Sequence, residues 1–183
     1  VIALAVATLL ALQTPSTTVP VTDAVDVAEL TDPAGVPGLR AAFDVAAPAD
    51  VVLDLLWDVS RFRAIFPDIK ALDVLARPEP HTVDVRFFVD AVVATPTYTL
   101  RRTLVPAARR VAWVSIGGDL KHIAGSWSVT PRSSSSCRVV YESFVDVGVV
   151  GVSSMYRSAV LGRVEQMVDR VRAAARAAPP PSR

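Results

Sequence analysis

The chain has 183 residues, 51% of them hydrophobic, and 19 basic side chains against 18 acidic ones leave a formal net charge of +1. That length allows one domain with a real core and little room for a second, and near-neutral charge spread along the chain excludes the concentrated basic patch of a nucleic-acid binder. The single cysteine, Cys137, excludes an intramolecular disulfide framework and a cysteine-rich zinc site.

Residues Val1 to Leu12 form an apolar run broken only by Thr8. It is too short to cross a bilayer, which takes about 20 residues, and it matches the apolar core of a secretory signal peptide, roughly 7 to 15 residues. Residues 1–13 are therefore expected to be a signal peptide, and the protein to be periplasmic or secreted. Pro15, Pro20, Pro33 and Pro37 punctuate residues 14–35, which read as a linker with one short strand or helical turn around Val25 to Leu30. The end, Pro179-Pro180-Pro181-Ser182-Arg183, reads as a disordered tail after a proline stop. The expected folded unit is 36–178.

Leu39 to Ala46 reads as a strand, and Pro48-Ala49-Asp50 opens a helix with the residues its first turn tolerates or favours. Val51, Val52, Leu55 and Leu56 recur at helical spacing, so that helix buries a face. A second short helix follows Asp58 and ends at Pro67. The period then changes from 3.6 to 2, and six strands are predicted: 69–76, 82–91, 97–105, 110–116, 122–130 and 137–147. Short turns join them, which implies an antiparallel meander. From Ser153 to Ala178, Tyr156, Ala159, Val160, Val164, Met167, Val168 and Val171 make one amphipathic helix. The expected class is α+β: a curved seven-stranded antiparallel sheet with two short helices and a long C-terminal helix, the helices covering its apolar face.

Three stretches carry a resemblance. Pro48 to Val59, continued by Phe62, Phe66 and Pro67, resembles the opening helix of the helix-grip superfamily; Gly125-Ser126-Trp127-Ser128-Val129-Thr130-Pro131 resembles its G-x-W-x-[FLV]-x-P strand, and Arg138 to Glu142 the strand after it. That START-like superfamily (SRPBCC) contains the START lipid-transfer domains, the birch-pollen-allergen proteins, the polyketide cyclase/dehydrase group and the coenzyme Q-binding proteins. The chain looks nearest to the bacterial coenzyme Q-binding and cyclase-like members. The resemblance covers about residues 38–178 and implies a ligand space between sheet and C-terminal helix.

No nucleophilic constellation is legible. His81 sits in a proline-flanked turn and reads as a surface residue; His122 begins a strand and reads as surface or as the rim of a cavity mouth. Gly125-Ser126-Trp127-Ser128 lacks the G-x-S-x-G spacing of a nucleophile elbow. Gly148-Val149-Val150-Gly151 lacks the lysine of a phosphate loop and reads as a hinge at which the helix and sheet part, near 148–154. Two distant histidines imply no metal, and no cofactor is implied.

Strand alternation supplies the candidate site. Val83, Val85, Phe87 and Val89 share one face, as do Tyr98, Leu100, Arg102 and Leu104, and an arginine in an apolar row demands a partner. In 122–130 the row is Ile123, Gly125, Trp127 and Val129; in 137–147 both parities are apolar, so Tyr141 or Glu142 points inward. The candidate ligand-binding residues are Phe87, Tyr98, Arg102, Trp113, Trp127, Tyr141, Met155 and Tyr156. Aromatic and aliphatic walls with one or two polar anchors suit a hydrophobic or amphiphilic small molecule: a lipid, a quinone or a polyketide-like compound. The expected partners are that ligand and a transient membrane contact, not nucleic acid. The leading reading is non-catalytic binding; the alternative is a cyclase-type enzyme using Arg102, His122 or Glu142.

Overall fold

The computed structural model describes residues 21–90, 95–146 and 153–178. Residues 1–13, the expected hinge at Gly148-Val149-Val150-Gly151 and residues 179–183 lie outside the described residues.

The chain opens with an antiparallel hairpin, β1 (Val25–Thr31) and β2 (Pro37–Val45). Asp32 builds its turn: one carboxylate oxygen accepts from the backbone N–H of Ala34 (2.9 Å) and of Val36 (2.8 Å), and Gly35 takes the left-handed φ of 84° that a tight turn needs. Helix α1 (Ala49–Trp57) starts after Pro48 and buries Val52, Leu53, Leu55 and Leu56, roughly 1.5–3 kcal/mol for each large side chain. A 3₁₀ turn (Val59–Arg61) and helix α2 (Phe62–Ile65) follow. The Asp58 side chain caps that turn, accepting from the Ser60 N–H at 3.0 Å and its hydroxyl at 2.6 Å.

Six strands then run as a meander: β3 (Ile69–Glu79), β4 (Thr82–Val89), β5 (Thr97–Val105), β6 (Arg110–Gly118), β7 (His122–Ser133) and β8 (Ser136–Asp146). Helix α3 (Ser153–Ala177) completes the described chain. The sheet has eight strands, in the order β1-β2-β8-β7-β6-β5-β4-β3, every pair antiparallel. The expectation of seven is thereby corrected. The additional strand is β1, inside the stretch read as linker. It pairs with Pro37 to Phe43 of β2 while leaving most of its own side chains in solvent, so it shows no buried apolar face in sequence.

The inner face of the sheet carries two apolar clusters. One joins Phe43, Val45, Val111, Trp127, Val129 and Val139 to α1 and to the C-terminal half of α3. The other joins Val83, Val85, Phe87, Leu100 and Ile123 to Val59 and Phe62. Trp57, Phe66 and Trp113 pack against both. Among the described residues no helix is long and apolar enough to cross a membrane.

Candidate functional site

Alternation along the strands sends Phe87, Tyr98, Arg102, Trp113, Trp127 and Tyr141 to the same face. Cross-strand pairing sets their order. Phe87 lies opposite Tyr98, Arg102 opposite Trp113, Trp113 opposite Gly125, and Trp127 opposite Tyr141.

The rings form a continuous surface. Trp127 and Tyr141 have centroids 4.4 Å apart, and Trp113 lies 5.9 Å from Tyr141 and 6.3 Å from Trp127. Phe87 lies 5.6 Å from Tyr98. Two phenylalanines from α2 and its C-terminal cap join the halves: Phe62 is 6.1 Å from Phe87, Phe66 is 6.4 Å from Trp127, and the two are 5.4 Å apart. Such spacings suit edge-to-face and offset contacts. Phe87 and Trp127 are buried, whereas Tyr98, Trp113 and Tyr141 are half-buried.

Gly125 makes room for Trp113. A Cβ there would stand 2.4 Å from Trp113 Cζ2 and 2.3 Å from the Glu142 carbonyl oxygen, so only a residue without a side chain lets the indole lie across β7.

Arg102 is 1% exposed. Its Nη2 donates to the Leu56 carbonyl at 2.6 Å and its Nη1 to the Trp57 carbonyl at 3.0 Å. The guanidinium stands 4.3 Å from the centroid of Phe62 and 5.3 Å from that of Trp57. The partner an inward arginine requires is thus the negative end of α1's dipole plus two π faces. Burial pushes its pKa down to about 9, opposed by the charge of Asp58, which leaves it protonated at neutral pH. Asp58 is itself held below the usual carboxylate value: burial raises it, but the Ser60 hydrogen bonds and Arg61 outweigh that.

Glu142 belongs to the other face. It pairs with Arg40 at 3.8 Å and, with Asp32, Arg110, Ala112, Ala124 and Phe144, lines an open depression of about 290 Å³ on the outside of the sheet. Tyr141, not Glu142, points inward, because alternation puts only one of the two among the aromatic rings. His122 is half-buried at the start of β7, opposite Asp146. Cys137 is buried, and burial together with the Asp44 charge raises its thiol to about 12. Among the described residues no three His, Cys, Asp or Glu side chains gather as a metal site. The side chains of Met155 and Tyr156 lie outside the described residues. Phe62, Phe66 and Trp57 were not among the expected site residues; the Asp58, Phe62, Phe66, Pro67 series was read as a short helix with its stop and as part of the family resemblance, with no site role for its rings.

The model of the family described as "Polyketide cyclase / dehydrase and lipid transport" matches residues 45–172, and the chain belongs to that family. No curated protein matches. Among solved structures it is similar to the Zhui aromatase/cyclase from Streptomyces sp. R1128, with 25% identity, a TM-score of 0.66, and 76% of this chain and 93% of that chain covered. A STAR-related lipid transfer protein from Xanthomonas axonopodis is 15% identical, with a TM-score of 0.68 and coverage of 86% and 97%. A START superfamily protein from Mycobacterium smegmatis is 17% identical, with a TM-score of 0.66 and coverage of 76% and 97%. The last two likenesses are of fold. The helix-grip architecture, an antiparallel sheet with a long C-terminal helix, is shared.

Proposed function

We propose that this member of the polyketide cyclase/dehydrase and lipid transport family is an exported binding protein for a hydrophobic or amphiphilic small molecule. Its ligand is a lipid, an isoprenoid quinone or a polyketide-like compound, held between the inner face of the sheet and α3. The observation that carries this reading is the joined aromatic surface, in which half-buried Tyr98, Trp113 and Tyr141 stand beside buried Phe87 and Trp127 on one face of the sheet. Rings of that kind offer an apolar ligand large contact area at low entropic cost and a few polar tips for orientation. In this reading Phe87, Tyr98, Arg102, Trp113, Trp127, Tyr141, Met155 and Tyr156 form the binding set, with Phe62 and Phe66 added from α2. Residues 1–13 act as the export signal, which places the protein in the periplasm or outside.

All three tryptophans border this surface, so ligand uptake reads out in intrinsic fluorescence. Titration with phospholipid, ubiquinone and an aromatic polyketide is expected to shift and quench the emission saturably for at least one class. An unchanged spectrum with all three would overturn the reading.

Cyclase-type catalysis is the second reading, supported by the 25% identity to an aromatase/cyclase and by a cation, Arg102, placed among the rings. Arg102 would polarise a ligand carbonyl through N–H groups not given to Leu56 and Trp57, with His122 as the proton carrier. Glu142 has no part in it, since it faces outward.

A further inference from the structure

The face of the sheet turned away from the helices carries an apolar patch of its own. Val105 of β5 and Val114 and Ile116 of β6 alternate with inward side chains and are 41%, 43% and 46% exposed. Val114 continues in register through Ala124 of β7 and Phe144 of β8 to Gly38 of β2. The Phe144 ring lies over Gly38, where any Cβ would overlap its Cδ1. With the ring drawn toward β2, small residues, Ala112, Ala124 and Ser126, are left to floor the open depression of about 290 Å³, which Arg110 and Glu142 also line. Three exposed large apolar side chains on adjacent strands, beside a hollow, form a patch and not a scatter.

The charges around this patch are balanced, and they are loosely met. Arg101 pairs with Asp84 at 2.8 Å, but Arg40 approaches Glu142 only to 3.8 Å. Asp32 gives one oxygen to the backbone N–H groups of Ala34 and Val36. Among the described residues Arg110 has no carboxylate partner. Three cations thus stand among three carboxylates. That mixture disfavours a partner of a single sign, such as nucleic acid or an anionic lipid surface, and suits one that carries the same mixture. A second copy of this chain does so by construction.

Strand register makes the face self-complementary. Arg110 lies opposite Ser128, and Ser128 opposite Val140, so Glu142 stands two strands across and two residues along from Arg110. On an ideal sheet, with strands about 4.8 Å apart and residues about 3.3 Å apart, the in-plane line midway between those two, perpendicular to the vector joining them, passes within about 2 Å of Val114. A two-fold axis along that line sets two copies outer face to outer face. It places each Arg110 against the Glu142 of the other copy and each Val114 against its own counterpart.

We propose that the outer face of the sheet is a self-association surface through which two copies of this chain pack back to back, with Val114 at the axis and reciprocal Arg110 to Glu142 pairs flanking it. The patch spans about 19 Å from β5 to β2 and about 20 Å from Arg110 to Ile116. That is the small end of specific interfaces, so the dimer is weak and concentration-dependent. The inner face and α3 stay uncovered, and the two inner faces point away from each other. The association does not depend on the binding reading above.

The test is sedimentation velocity of the full chain over a hundred-fold range of concentration. The weight-average mass is expected to rise from that of one chain toward that of two. Val114→Lys sets two ammonium groups against each other at the axis and is expected to weaken association by about ten-fold or more. Arg110→Glu and Glu142→Arg, each alone, are expected to weaken it as well, because each puts like charges in contact twice. An equimolar mixture of those two variants is expected to recover the dimer, since each copy then meets the opposite charge at both places. The mass of one chain at every concentration would overturn the proposal and leave the depression to a small ligand or a different protein. A dimer indifferent to Val114→Lys, or a mixture that recovers nothing, would also overturn it. Should Val114→Lys fail to fold, the mixture of the two charge variants decides alone.

Discussion

Arg102, on β5, holds the C-terminal end of α1 through Leu56: Nη2 to carbonyl oxygen is 2.6 Å, and the pair is separated by 46 positions in sequence. The neighbouring bond to Trp57 and the Phe62 and Trp57 rings complete the enclosure of the charge. Removing the guanidinium strands the buried Leu56 carbonyl and the part-buried Trp57 carbonyl, and a buried acceptor left unmet costs about 1–3 kcal/mol. Arg102→Met is therefore expected to lose ~2–4 kcal/mol in urea unfolding, and Arg102→Lys to lose less, since one ammonium reaches a single carbonyl well. A variant as stable as the parent would show that the two bonds contribute nothing.

Gly125→Ala is expected to be among the more damaging single-methyl additions. Its Cβ would meet the Glu142 carbonyl oxygen, part of the β8 backbone, and two carbons of the Trp113 ring. Overpacking of a rigid neighbour costs typically 1–3 kcal/mol. Removing the ring as well, with Trp113→Ala, is expected to recover only part of the loss because the backbone clash persists. Melting curves of the two single variants and the double variant measure this.

The half-buried and buried rings separate stability from binding. Trp127→Ala empties a site that is 1% exposed and is expected to cost about 3–5 kcal/mol. Trp113→Ala and Tyr141→Ala remove rings that are only half-buried, so they are expected to cost less stability and to weaken ligand uptake more. Parallel unfolding and fluorescence titrations decide it. Undiminished uptake in a Trp113→Ala, Tyr141→Ala double variant would move the binding surface elsewhere.

Asp84 on β4 and Arg101 on β5 lie opposite each other and make a two-pronged pair, 2.8 Å at each contact. The Arg101 hydrogen bonds hold the Asp84 carboxyl below its ordinary value of 3.8 against the opposing effect of burial. A carboxylate with a lowered folded pKa contributes stability that is complete above the unfolded value and fades as pH falls through the folded one. Asp84→Asn is therefore expected to be less stable than the parent at pH 7, with the gap closing as pH drops below about 3.8. A gap independent of pH would mean that the carboxylate charge plays no part.

Cys137 is buried, with its thiol raised to about 12. It is expected to resist thiol reagents in the native state at pH 8 and to react fully once the chain is unfolded. Rapid native labelling would contradict its placement in the core.

Much of this interior was legible in the sequence. Alternation alone put Tyr98, Leu100 and Arg102 in one row, and Pro48-Ala49-Asp50 marked the start of α1. The limits have physical causes. Backbone acceptors carry no sequence signal, so nothing in the residue string shows Arg102 turning to Leu56 and Trp57 instead of to a carboxylate. Strand β8 has apolar residues on both parities because the outer face carries its own apolar row, Val114, Ala124 and Phe144, in cross-strand register. That row is why Glu142 and Tyr141 were equal candidates for the interior. The stretch that becomes β1 reads as one short strand or helical turn inside a linker, and it was left out of the sheet because a side chain such as Val27, 37% exposed, contributes no buried pattern. Phe62 and Phe66 meet the sheet aromatics only through tertiary packing.

Native mass spectrometry of the chain, purified without detergent from a cell that makes phospholipids and quinones, tests the binding function most directly. The expected result is a reproducible ligand-sized adduct that leaves on denaturation and that organic extraction assigns to a lipid, quinone or polyketide-like class. A clean protein mass, persisting after incubation with added phospholipid, ubiquinone and aromatic polyketide, would contradict it.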